Sequence, residues 1–103
     1  MAKYKKNDDE FSFGLSTHAA WMLIDGIENY VIMIDRLYKN KIERADYCFL
    51  MICTAHREAV KVLDWAVENN MYNVSTKHLG KLIKRIERKR ERFRQLEKEQ
   101  FGY

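Results

Sequence analysis

The chain has 103 residues, with 19 lysine and arginine residues against 15 aspartate and glutamate residues and a formal net charge of +4. This length allows one domain with a modest core, and the hydrophobic content of 47% argues against wholesale disorder. The absence of proline and the presence of only four glycines favour a few long helices over many short strands.

The sequence shows neither a signal peptide nor a membrane span. Residues 1–10 are charged throughout, and no uncharged apolar run reaches about 18 residues. The two cysteines, Cys48 and Cys53, are five residues apart in an apolar run, so on one helix they cannot bridge each other. We therefore expect a cytoplasmic protein with reduced thiols and no membrane partner.

Residues 1–15 are predicted to be a flexible N-terminal segment ahead of a single helical domain over 16–103. Phe11, Phe13 and Leu15 alternate with small residues, so this segment offers a short extended stretch that can dock on the helices.

The first helix is predicted over about 17–39, after a cap at Ser16 or Thr17. Its core side is a broad apolar arc at helical spacing, made of Ala20, Leu23, Ile24, Ile27, Tyr30, Val31, Ile34, Leu37 and Tyr38. The opposite side is acidic but also carries two large apolar residues, and it comprises Trp21, Asp25, Glu28, Ile32 and Asp35. Trp21 and Ile32 are therefore candidate interface residues.

The second helix is predicted over about 41–68, because Asn40 and Glu43 have the spacing of a capping box. Its core arc is Ala45, Cys48, Phe49, Ile52, Ala55, Ala59, Leu63, Ala66 and Val67. A second apolar face lies opposite this arc and consists of Tyr47, Leu50, Met51, Val62 and Trp65. A helix that is apolar on both sides is either central in its fold or part of an interface.

The third helix, predicted over about 76–100, has one apolar arc made of Leu79, Leu82, Ile83, Ile86, Phe93, Leu96 and Phe101. The opposite side carries a basic stripe about 22 Å long at 1.5 Å rise per residue, made of Lys77, Lys81, Lys84, Arg85, Arg88 and Arg92. Glu87 and Glu91 lie between the two sides, and their spacing predicts ion pairs with Arg90 and Arg94. The stripe has three candidate roles: binding a partner, packing on the acidic side of the first helix, and simple solvation.

Together these helices predict an all-α fold, an antiparallel three-helix up-down-up bundle with short connections. Two surplus apolar faces are difficult to bury in so short a chain, so we expect a homodimer. The competing arrangement is a monomer in which the N-terminal segment covers one of the faces.

The sequence gives little support for catalysis. His18, His56 and His78 fall one on each helix without metal-ligand spacing, and no phosphate-binding loop or nucleophile motif is present. His56 lies on the core arc, where we expect a buried side chain hydrogen-bonded to Tyr30, Tyr38 or a backbone carbonyl. We therefore predict no enzyme activity, no cofactor and no metal.

The sequence thus predicts a binding protein. The leading hypothesis is an adaptor or inhibitor, of a kind common among phage and mobile-element proteins, that oligomerises through apolar helix faces and uses its basic helix for an acidic protein partner. The alternative is a nucleic-acid-binding protein in which the basic stripe contacts phosphates without reading sequence.

Overall fold

The structure, a computed structural model, describes the backbone of residues 2–69 and 76–102 and the side chains of residues 18–69, 76–100 and 102. It contains three α-helices: α1 (Ala2–Lys39), α2 (Ala45–Glu68) and α3 (Thr76–Phe101). The described ranges contain no strand. The helices pack side by side into an elongated bundle of 61 × 22 × 19 Å. The predicted all-α bundle of three helices is therefore confirmed.

Helix α1 begins at Ala2, well before the predicted start at residue 17. Residues 2–16 contain no proline that would interrupt the helix and only one glycine, and so the caps offered by Ser16 and Thr17 are not used as a boundary. The flexibility of residues 1–15 stays a prediction. The predicted docking of Phe11 and Phe13 falls outside the described side chains.

The turn between α1 and α2 corrects the predicted capping box at Asn40 and Glu43. Lys41 adopts a left-handed backbone conformation with φ 58°. Its N–H donates to the carbonyl of Tyr38 (3.0 Å), and the N–H of Ile42 donates to the carbonyl of Leu37 (2.9 Å). These two bonds form a Schellman motif, so residues 40–43 close the end of α1.

Helix α2 consequently starts at Ala45, later than the predicted residue 41, with Arg44 as its N-cap and no side-chain cap hydrogen bond. The first turn is supported by Asp46, whose Oδ1 accepts a hydrogen bond from the backbone N–H of Tyr47 (3.0 Å). A carboxylate at this position also interacts favourably with the positive end of the helix dipole.

Helix α2 is the central helix, because it packs along both α1 and α3 while the backbones of α1 and α3 make few close approaches. Small buried residues on α2 allow this closeness: Ala45, Cys48, Ala55, Ala59 and Ala66. Larger buried residues of α1 and α3 complete the core around them: Ile24, Ile27, Val31, Ile34, Leu79, Leu82, Ile86 and Phe93.

Most of the predicted core arcs are correct in the described side chains, which do not include Phe101, with three exceptions. Leu23 of α1 is 53% exposed, and Val67 of α2 is also exposed, although both were assigned to core arcs. Val62, predicted on the exposed second face of α2, is only 6% exposed and belongs to the core. The core side of α2 is thus rotated toward Val62 and away from Val67, because its two neighbouring helices lie to one side of the predicted arc.

Candidate binding surfaces

Five of the exposed cationic side chains of α3 share one side of the helix, and we call them the basic ridge: Lys77, Lys81, Lys84, Arg88 and Arg92. Successive members are three or four residues apart, so they follow one side of the helix. This side lies opposite the buried residues Leu79, Leu82, Ile86 and Phe93. The ridge therefore faces away from the rest of the bundle along its whole length.

Arg85, the sixth predicted member of the basic stripe, points toward α1 instead. Its Nη2 donates to Oε2 of Glu28 at 3.4 Å. Oε1 of the same carboxylate lies 3.0 Å from Nε2 of His78, and one turn further along, Nζ of Lys89 donates to Oδ2 of Asp35. The acidic side of α1 thus pairs with one flank of α3 and leaves the basic ridge free.

The ridge residues form no ion pair with any other residue in the described part of the chain. The predicted pairs of Glu87 with Arg90 and of Glu91 with Arg94 are not formed. Glu87 instead lies 3.0 Å from Nε2 of His56, and Glu91 accepts a hydrogen bond from Gln95 (3.2 Å). No carboxylate in the described ranges therefore neutralises the ridge directly.

A shallow groove of about 480 Å³ runs along the side of the ridge that faces α1. Its lining is mainly cationic, and it consists of Glu28, His78, Lys81, Leu82, Lys84, Arg85 and Arg88. The only carboxylate in this lining already holds Arg85 and His78. An anion lying in the groove would therefore meet an excess of positive charge.

His56 corrects another prediction. The side chain was expected to be buried and bonded within the core, but it is 21% exposed and its partner is Glu87 of α3. His56 lies instead at the edge of the core arc, at the boundary between α2 and α3. A polar ring at such a boundary reaches a carboxylate on the neighbouring helix, and this contact ties α3 to α2.

The predicted apolar interface residues separate into three groups. Trp21 is partly buried against the ring of His78, with centroids 5.8 Å apart, and the exposed Ile32 lies on the same α3-facing side of α1. Val62 is in the core. The remaining four lie on the surface of α2. Tyr47 and Leu50 are exposed there, and Met51 and Trp65 are partly buried.

Three exposed apolar residues of α1 were missed as surface candidates, Met22, Leu23 and Met33. Leu23 was assigned to the core because it falls within the arc that α1 shares with Ile24 and Ile27. Hydrophobic periodicity gives the centre of an apolar arc, but it does not give which edge the neighbouring helices cover. The position of α3 decides this, and α3 lies on the other side of α1.

The described residues include no group of three or more histidine, cysteine, aspartate or glutamate side chains that could hold a metal ion. Within the same ranges, no helix is long and apolar enough to cross a membrane. The two surfaces considered below are the basic ridge and the exposed apolar residues of α1 and α2. Comparison with known proteins adds nothing to these surfaces, since no protein family, curated protein or solved structure matches the chain.

Proposed function

We propose that this protein is a non-catalytic nucleic-acid-binding protein whose basic ridge contacts phosphates without reading base sequence. The observation that carries the proposal is a line of five exposed cations without a carboxylate partner in the described part of the chain. Phosphate contacts supply most of non-specific nucleic-acid affinity, and they require only cations at suitable spacing.

The surroundings of the ridge favour a phosphate backbone over an acidic protein. Every exposed large hydrophobic side chain in the described ranges lies before α3: Met22, Leu23, Ile32, Met33, Ile42, Tyr47, Leu50 and Val67. A specific protein interface is usually centred on buried apolar or aromatic anchors. The ridge has none, which is no disadvantage for binding phosphates.

Sequence-specific reading is not part of the proposal. Asparagine and glutamine are the side chains that pair with adenine edges, and along the ridge side of the described part of α3 the one such residue is Gln95, which donates to Glu91. The arginines of the ridge can reach guanine edges, but a straight line of cations is equally suited to phosphates of any sequence.

The proposal includes the up-down-up direction of the helices. Contacts between α1 and α3 occur in the same order along both helices: Glu28 with Arg85, Asp35 with Lys89, and Tyr38 with Phe93. Such an order supports a parallel α1 and α3, with α2 running the other way between them. The basic ridge then occupies one outer edge of the bundle.

A second candidate is the adaptor or inhibitor acting on a protein partner, together with the homodimer. The observation that favours it is the group of exposed apolar side chains on α1 and α2, since exposed apolar surface on a small protein can mark an interaction site. Affinity capture before and after nuclease treatment separates the two candidates, because only a directly bound protein survives the treatment.

The test of nucleic-acid binding compares two variants with the same change in net charge. One carries Lys81→Glu, Lys84→Glu and Arg88→Glu in the ridge. The control carries three glutamates at exposed cations outside it, at Arg36, Arg57 and Lys98. Three fluorescently labelled probes are used: a DNA duplex of about 30 base pairs, single-stranded DNA and single-stranded RNA. Binding of each variant to each probe is measured by fluorescence anisotropy at low salt, where phosphate contacts are strongest.

We expect the ridge variant to lose more than tenfold in affinity and the control to lose about two- to threefold, because only direct contacts release counterions at the site. Circular dichroism checks that both variants stay helical. Absence of binding by the unmodified protein to all three probes would contradict the proposal. An equal loss in both variants would show that net charge, and not the ridge, attracts the nucleic acid.

A further inference from the structure

We infer that one face of the α1–α2 hairpin, on the side away from α3, packs against the same face of a second copy of this chain. We call it the open face, and it comprises Leu23, Tyr30 and Met33 of α1 with Tyr47, Met51 and Trp65 of α2. The inference rests on the homodimer proposed above and names the surface that makes it.

The contacts of α3 define where the open face lies. On α1, the residues that meet α3 are Trp21, Glu28 and Asp35. At 100° per residue, Leu23, Tyr30 and Met33 project from the opposite flank of α1. On α2, His56 meets α3 through Glu87, and Tyr47, Met51 and Trp65 project from the flank that adjoins α1. The six side chains therefore border the groove between α1 and α2 that α3 does not fill.

The open face is only partly covered by its own chain. Leu23 is 53% and Met33 is 42% exposed, and Tyr47 is similarly exposed. Tyr30, Met51 and Trp65 pack their inner edges on the core while remaining partly accessible. Apolar side chains from two adjacent helices thus form one continuous surface.

No described segment of the same chain can cover this surface. The competing prediction placed the N-terminal segment over one of the surplus apolar faces, but the backbone of its residues 2–15 belongs to helix α1 (Ala2–Lys39). A helix without a break cannot turn back across its own side. The occupant is therefore not a described segment of this chain, which favours a second copy.

The size of the open face suits a second copy. The hairpin from residue 18 onward is about 33 Å long and about 20 Å wide, at 1.5 Å rise per residue and roughly 10 Å per helix. Two such faces bury on the order of 1,300 Å² in total, within the roughly 1,200–2,000 Å² of a standard stable interface. Four helices from two hairpins then form a bundle of the ordinary kind.

Charge also favours this arrangement. Packing the hairpins together places the two basic ridges on opposite outer sides of the dimer, where like charges are well separated. The charged residues bordering the open face include Glu58 and Lys61, whose side chains pair with each other at 3.6 Å. Glu58 and Lys61 therefore add no net charge to the contact between hairpins.

Gly26 adds a third indication, since it lies on the flank of α1 between Leu23 and Met33. A glycine within a helix costs about 1 kcal/mol relative to alanine. In the described chain, no atom comes within 4 Å of the position that a Cβ of Gly26 would take. Nothing in the described part of one copy requires a glycine here, whereas close approach of a helix from a second copy would.

The test uses neighbouring residues of α1 that have similar exposure and lie on different flanks. Met33→Glu places a charge on the open face, and Ile32→Glu places one on the α3-facing side, where Ile32 is 48% exposed. Sedimentation equilibrium on the full chain is run over a range of concentrations, with circular dichroism as the check on folding.

We expect the unmodified protein to have twice its chain mass of 12.4 kDa, Ile32→Glu to remain dimeric, and Met33→Glu to dissociate at least tenfold more readily. A monomeric unmodified protein would refute both the dimer and the open face as its interface. A dimer that Ile32→Glu disrupts and Met33→Glu leaves intact would refute the assigned face alone. The nucleic-acid assay is separate, because Met33 is on the other side of the molecule from the ridge.

Discussion

Lys41 holds the backbone conformation that ends α1, at some cost. The left-handed backbone conformation costs a residue with a Cβ about 1–2 kcal/mol. Within the described ranges, Lys41 is the one non-glycine residue that has a positive φ. We predict that Lys41→Gly stabilises the protein by roughly 0.5–1 kcal/mol, since part of the relief is offset by the greater freedom of glycine in the unfolded chain. Urea unfolding followed by circular dichroism measures the change.

The control for Lys41 is Arg36→Gly, in the regular part of α1. The same substitution there should lower the free energy of unfolding by about 1 kcal/mol, because glycine is unfavourable within a helix. If both variants are destabilised to the same extent, the Schellman motif does not set the end of α1.

Burial changes the acid–base behaviour of Cys48. Its side chain is fully buried, with Sγ 4.0 Å from the carbonyl oxygen of Ile34. Burial, and to a lesser extent the nearby carboxylates of Glu43, Asp35 and Asp46, raise the pKa of the Cys48 thiol from 9.0 to about 11. The folded protein therefore keeps a proton that the unfolded chain releases between these two pH values.

The raised pKa of Cys48 predicts a loss of stability in alkali. The free energy of unfolding should fall as the pH rises from about 9 to about 11, by on the order of 2 kcal/mol. Urea titrations across this range measure the fall, and Cys48→Ala provides the comparison, because tyrosine and lysine titrate equally in both proteins. An identical pH dependence in the two proteins would contradict the assignment to Cys48.

At the scale of the elements, α2 acts as a spacer whose width is set by its small side chains. Ala59 is fully buried and lies on the side of α2 that faces both neighbouring helices. We predict that Ala59→Leu destabilises the fold by about 1–3 kcal/mol, because extra methyl groups in a packed core force the helices apart. Arg57→Leu, at an exposed position of the same helix, should change stability by less than about 0.5 kcal/mol. Thermal and urea unfolding of both variants tests this, and equal effects would show that α2 is not closely packed at Ala59.

The three helices also show which structural features could be predicted from the sequence alone. Hydrophobic spacing was sufficient for the existence of three helices and for buried residues such as Ile24, Ile52 and Ile86, since these lie at the centres of their arcs. Residues at the arc edges, such as Leu23 and Val62, were misplaced, because their burial depends on where a neighbouring helix lies. The boundary at residues 40–44 was also misplaced, since a polar cap for α2 and a Schellman motif for α1 compete for the same residues.

The basic ridge was likewise predictable only in part. The spacing of the cations on α3 was sufficient to predict that they share one side of the helix. The separation of Arg85 from these cations was not predictable, because it depends on Glu28, which is 57 residues away in sequence and becomes a neighbour only through packing.

At the scale of the whole molecule, the bundle separates two kinds of surface. The basic ridge follows the outer side of α3, and the open face lies on the hairpin of α1 and α2. Contacts of α3 with Glu28, Asp35 and His56 hold the basic helix in a fixed rotation about its axis. This rotation directs five cations outward and turns Arg85 and Lys89 toward carboxylates of α1.

The fixed rotation of α3 predicts different roles for two adjacent cations in nucleic-acid binding. With five ridge contacts, the logarithm of the affinity for duplex DNA should fall with the logarithm of salt concentration with a slope of at most about −4.5. Lys84→Gln removes a ridge cation, so its slope should be shallower by about 0.9. Arg85→Gln removes a guanidinium already paired with Glu28 and should leave the slope nearly unchanged. Anisotropy titrations at several salt concentrations measure both slopes. Equal changes in the slopes of the two variants would mean that Arg85 contacts phosphates despite its ion pair with Glu28. The phosphate-binding surface would then extend across the groove toward α1.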